Sequence, residues 1–147
     1  MSIGTSMSFS LLNNQGEVQK KSGLNWGCAD ANVTENDAYI AFRTSHIKSD
    51  PNFFNPRSTD NSISVTWDDG TKMLCSIEGK QNKLFYGKLY GKQITSSSTR
   101  KEIGTYLRTR INVFGRRIIR EDLEIYGRTY IEITKTGPNE YFFDFSV

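Results

Sequence analysis

Few residues in this chain have the type and spacing for chemistry. His46, the only histidine, stands two positions before Lys48. That spacing fits a pairing in which an imidazole attacks phosphorus while lysine neutralises the charge that develops. Nothing downstream completes such a motif, and a surface histidine is the plainer expectation. Asp68 and Asp69, followed by Glu78 and Lys80, imitate a set in which carboxylates hold magnesium and lysine orients water. Asp69-Gly70 is also ordinary turn chemistry, and a strand returning from that turn carries Glu78 away from the aspartates. Cys28 and Cys75 lack the CxxC or Cys/His spacing of a zinc site, and no nucleophile-histidine-acid set or phosphate-cradling glycine loop is present. The expectation is a chain with no catalytic site, no metal and no cofactor.

What the chain offers instead is charge. Residues 71–120 carry twelve Lys/Arg against two Asp/Glu, a net +10, between two acidic flanks, although the whole chain is only +3. Solvated surfaces ordinarily mix their signs, so this block points to a polyanionic partner, nucleic acid first. No stretch approaches the roughly 18 apolar residues of a membrane helix, and the N-terminus lacks a signal peptide's apolar run. A cytoplasmic protein with no membrane partner is expected.

These residues need a frame, and the frame reads as short strands. At 147 residues the chain is a single domain. Residues 1–7 are expected to be a cloning remnant, and the whole to be one domain of a longer protein. Alternating apolar residues predict strands over Met7–Asn13 and Asp37–Arg43, a hairpin through Ile63, Val65, Trp67, Asp69-Gly70, Met73, Cys75 and Ile77, and two closing strands, "TYIEITK" and "EYFFDFSV". Ile103, Tyr106, Leu107 and Ile111 recur at helical spacing behind a Ser/Thr-rich start, and "REDLEIYG" reads as a second helix ending on glycine. The fold class is β-rich α+β, an open barrel of about seven strands with two or three short helices.

Two connections are long, Val18 to Asn36 and Lys80 to Tyr90, and loops of that length in a compact domain are usually functional or disordered. The first holds Lys20, Lys21, Ser22, Asn25, Trp26, Asp30 and Asn32. The second holds Lys80, Gln81, Asn82, Lys83, Tyr86, Lys88 and Tyr90, with Lys92 just beyond. Asparagine and glutamine pair with adenine edges and aspartate accepts from cytosine, while lysines neutralise phosphates. Asn25, Asp30, Asn32, Gln81, Asn82 and Arg43 are the candidates for base edges. The lysines and Arg100 are the candidates for phosphate. Trp26 can brace its loop, pack on a sugar or simply anchor the loop to the core.

"SGLNWG", "ENDAYI", "FFNP", "GTYLRTRIN", "REDLEIYGRTYIEITK" and "YFFDFS" occur in that order. With them the chain resembles, from about Ser8 to Ser146, the DNA-recognition domain at the C-terminus of phospholipase-D-type restriction endonucleases. The resemblance implies a DNA-binding pseudobarrel of the plant B-three type, with two arms that clamp the major groove of double-stranded DNA. It also implies a monomeric module in a type II restriction endonuclease whose nuclease domain precedes it. "KKSGLNWG" would then be the first arm. Two rival readings stand beside this one: a small metal-dependent nuclease using Asp69, Glu78 and Lys80, and a single-strand or RNA binder that stacks bases on Trp26, Tyr86 and Tyr90.

Overall fold

The structure is a computed structural model and describes residues 3–28 and 36–147. Its strands are β1 (Ser6–Ser10), β2 (Ile40–Ala41), β3 (Ser62–Trp67), β4 (Lys72–Glu78), β5 (Gln93–Ser96), β6 (Tyr130–Gly137) and β7 (Glu140–Asp144). They form one seven-stranded sheet in the order β1-β6-β7-β3-β4-β5-β2. Only β3 and β7 pair in parallel. The sheet curls until its edge strands face each other, giving a nearly closed barrel with one seam. Three helices accompany it, α1 (Thr44–Ser49), α2 (Arg100–Ile111) and α3 (Arg120–Tyr126), with a short 3-10 helix over Gly23–Cys28.

Alternation builds the barrel interior. Ile63, Val65 and Trp67 of β3, Met73, Cys75 and Ile77 of β4, and Ile131 and Ile133 of β6 all point inward, joined by Tyr141 and Phe143 of β7. Burial of apolar rows on one face fixes register, because a slip of one residue would turn every one of them outward. The Cys75 thiol, sealed in this core, is pushed up to about 12 by burial. Ser6, expected to precede the first strand, lies within it and pairs with Thr134, while Met7, the expected start of that strand, pairs with Ile133.

The far end of the barrel is locked by one ion pair. Arg110 of α2 donates to both oxygens of Asp68 at 2.7 and 2.9 Å, and also to the Tyr126 hydroxyl and the Phe145 carbonyl. The Phe145 N–H donates to the same carboxylate at 2.7 Å. Burial pushes the Asp68 carboxyl up, but Arg110 and the Phe145 N–H outweigh it and hold it below its ordinary value. Asp68 is therefore committed to tying the β3–β4 turn to α2 and the strand after β7. Asp69 accepts from the Thr71 N–H in the same turn. Glu78 closes the other end of a seven-residue strand, roughly 20 Å away at about 3.4 Å per residue. The metal-dependent nuclease arrangement read from these residues is not assembled by the fold.

Side chains bridge the seam between β1 and β2. Arg43 donates to the Leu12 carbonyl at 2.8 Å. His46, on α1, accepts the Arg43 N–H at Nδ1 (3.0 Å), so its Nε2–H donates to the Ser8 carbonyl (3.1 Å). Its ring stacks on Phe9 with centroids 4.0 Å apart. Burial lowers its pKa and keeps the imidazole neutral. The surface histidine expected from sequence is thus a buried one. Arg43, expected at base edges, instead ties the barrel shut.

Candidate nucleic-acid interface

The first arm leaves β1 and returns at β2. Lys20 and Lys21 are exposed and Ser22 is half-buried. The 3-10 helix follows, and at its centre Asn25 is 1% exposed. The Asn25 amide donates to the Gln19 and Ile118 carbonyls, and its Oδ1 accepts the Ile118 N–H, each at 2.8 Å. Asn25 therefore faces inward and pins the arm to the segment before α3, so it does not present its amide to a base edge. The expectation for this residue is corrected by its hydrogen bonds. Trp26 packs edge-on against Tyr39 (5.0 Å) and carries the Arg100 guanidinium over its ring at 4.7 Å. It acts as a brace between the arm, β2 and the first residue of α2. Asp30 and Asn32 lie outside the described residues.

The second arm is a folded hairpin rather than a loop. Lys92 N–H donates to the Glu78 carbonyl and Gln81 N–H to the Tyr90 carbonyl, both at 2.9 Å. Phe85 and Lys88 exchange both backbone bonds at 2.8 and 2.9 Å. Tyr86 and Gly87 form the two-residue turn with φ of 53° and 76°, the mirror-image turn that suits the twist of a hairpin. Two of the expected DNA-facing residues are structural here. Tyr90 is 1% exposed and donates its hydroxyl to the Pro51 carbonyl (2.8 Å). The Gln81 amide donates to the Phe42 and Gly91 carbonyls (3.0 and 3.1 Å). Lys80, Asn82, Lys83, Tyr86, Lys88 and Lys92 are exposed.

Both arms hang from the short β2. The first is held where the Tyr39 N–H donates to the Gly23 carbonyl, and the second where the Phe42 N–H donates to the Lys92 carbonyl. Tyr39 and Phe42 are three residues apart in an extended segment, so the two anchors are on the order of 10 Å apart. Ala38, beside the first anchor, donates its N–H to the Arg100 carbonyl. That bond brings the start of α2, with exposed Arg100 and Lys101, against the root of the first arm.

Structure also redistributes the +10 block. Arg108 is buried and donates to the Val113 and Arg116 carbonyls. Arg110 is paired with Asp68, Arg116 with Asp122 at 2.7 Å, and Arg120 with Glu124 at 3.2 Å. The cations left on the surface concentrate on the second arm and the start of α2. Sequence reasoning overlooked Lys101 and also Leu84, which is 61% exposed on the second arm. The signal for Leu84 was present: Leu84-Phe85-Tyr86 alternates out, in, out, which the reading of a loop concealed.

Residues 1–137 match the family model described as the NgoFVII C-terminal B3-like DNA-binding domain. The chain belongs to that family. No curated protein sequence matches the chain. Membership makes this B3-like domain a DNA-binding domain of the restriction-enzyme type, which agrees with the resemblance and with the barrel. Among the described residues no three His, Cys, Asp or Glu side chains gather into a metal-holding group, and no helix is long and apolar enough to cross a membrane.

Proposed function

We propose that this B3-like domain reads a specific double-stranded DNA sequence as the target-recognition module of a type II restriction endonuclease, its two arms gripping the major groove. The observation that carries the reading is the common anchorage of both arms on β2, on the order of 10 Å apart, beside a major groove about 12 Å wide. Lys20 and Lys21 on the first arm, Lys80, Lys83, Lys88 and Lys92 on the second, and Arg100 at the start of α2 serve phosphates. Asn82 reads a base edge from the second arm, and Asp30 and Asn32 do so from the first. Asn25, Gln81, Tyr90 and Arg43 hold the arms and barrel in shape. The cleaving chemistry belongs to a nuclease domain of the parent chain, and the recognition domain itself works as a monomer.

Selection from a randomised duplex pool at about physiological salt tests the reading, because binding to phosphates alone is salt-dependent and blind to sequence. One enriched motif of roughly five to six base pairs is expected. Asn82→Ala should relax a single position of that motif, at about 1–3 kcal/mol of discrimination. A pool that is bound but unenriched would reduce the domain to a backbone binder. Tighter binding to single strands than to duplex would favour the stacking alternative.

A further inference from the structure

The tip of the second arm departs from the residues its backbone prefers. In a two-residue turn of this hand the first central position favours Asn, Asp or Gly. Tyr86 occupies it at φ 53° and is 65% exposed, so packing does not explain the choice. A bulky residue held in the left-handed region without a packing reason points to function. Leu84, two residues earlier, is 61% exposed, while Phe85 between them turns inward at 7%. The tip therefore presents two large apolar side chains on an arm whose other exposed groups include Lys80, Lys83, Lys88 and Lys92. An occupant must offer anionic surroundings and a small apolar contact at the centre. The major groove does so in one chemistry: the C5-methyl of a pyrimidine, flanked by phosphates.

We infer that Leu84 and Tyr86 form a methyl-reading tip that packs on a pyrimidine C5-methyl group in the major groove and adds to the specificity of the domain. This rests on the DNA-reading proposed above. Thymine and 5-methylcytosine carry the same group in different base pairs, and binding to each is separable.

The test begins with the duplex selected by the wild-type domain. Each thymidine is replaced in turn by deoxyuridine, and each deoxycytidine by 5-methyldeoxycytidine. Affinity is measured at one salt concentration for the wild-type, Y86N and L84S chains. Asn suits the left-handed position, so Y86N should melt at or above the wild-type temperature, and a loss of binding then reports contact rather than folding. Removing one thymine methyl should weaken wild-type binding about three- to fivefold, the size expected for one buried methyl, and that difference should shrink toward unity in Y86N and L84S. A gain of similar size on methylating one cytosine, again lost in the variants, would name 5-methylcytosine as the source. Wild-type binding indifferent to every C5-methyl overturns the inference, and so does Y86N with undiminished sensitivity. An enriched motif without methyl dependence sinks this inference alone. An unenriched pool sinks the sequence-reading proposal, and the inference falls with it.

Discussion

An asparagine amide carries two donors and an acceptor with two lone pairs, an inventory that suits an adenine edge and a backbone segment equally well. At Asn25 the choice is made by Ile118, 93 positions away, whose carbonyl and N–H take both ends of the amide. Removing it would leave two carbonyls and one N–H unpaired in a buried place, at about 1–3 kcal/mol for each group that water cannot reach. Asn25→Ala should therefore lower stability in urea unfolding by about 3 kcal/mol while leaving the selected DNA motif unchanged. A variant of normal stability with a relaxed motif would return Asn25 to the base readers. The same reasoning explains why site residues were only partly legible. Lysine is readable because its charge keeps it outside, and Lys20, Lys21, Lys80, Lys83, Lys88 and Lys92 are exposed as expected. Asn25, Gln81, Tyr90 and Arg43 are polar or amphipathic side chains whose direction depends on partners distant in sequence, so their types did not separate reading from bracing.

At the scale of elements, strands with one buried face announced themselves, as β3, β4, β6 and β7 did by strict alternation. β5 did not, because Ile94, Thr95 and Ser96 are all buried and erase the period. α1 is six residues long, too short for a helical stripe to repeat. The second arm hid because its ladder is interrupted and its turn is Tyr-Gly rather than Asn-Gly. How the first arm meets α2 was also invisible, and Gly104 is the residue that permits it. A Cβ there would lie 1.6 Å from the Asn36 carbonyl oxygen and 3.2 Å from the Ala38 Cβ. Backbone cannot yield as a side-chain tip does, so Gly104→Ala must push α2 off the arm's root and break the Ala38–Arg100 bond. A loss of about 2 kcal/mol is expected from overpacking, with DNA binding weakened beyond what unfolding explains. Thr109→Ala on the exposed side of the same helix serves as control and should leave binding intact. Unchanged melting and affinity in Gly104→Ala would show that the arm does not depend on this contact.

For the whole molecule, the decisive quantity is how many cations face one partner at once. Composition counts Lys72 in the +10 block on the same footing as Lys83 and Lys88. The fold separates them: Lys72 begins β4 beside the β3–β4 turn, at the end locked by Asp68 and Arg110, whereas the arm leaves β4 at Glu78, roughly 20 Å further on. If the arms and the start of α2 place all seven of their proposed cations on phosphates, log affinity should fall with log salt at a slope of about −6, roughly four-thousandfold between 50 and 200 mM. The double variant Lys83→Ala/Lys88→Ala should make the slope shallower by about two and weaken specific and random duplexes alike. Lys72→Ala should leave it where it was. A slope that flattens equally for Lys72 and for the arm lysines would mean that DNA is held by diffuse charge over the whole basic block, and the two-armed grip would have to be abandoned. Retention of the steep slope in Lys72→Ala, with its loss in the arm variant, would locate the grip at the end of the barrel where β2 gathers both arms.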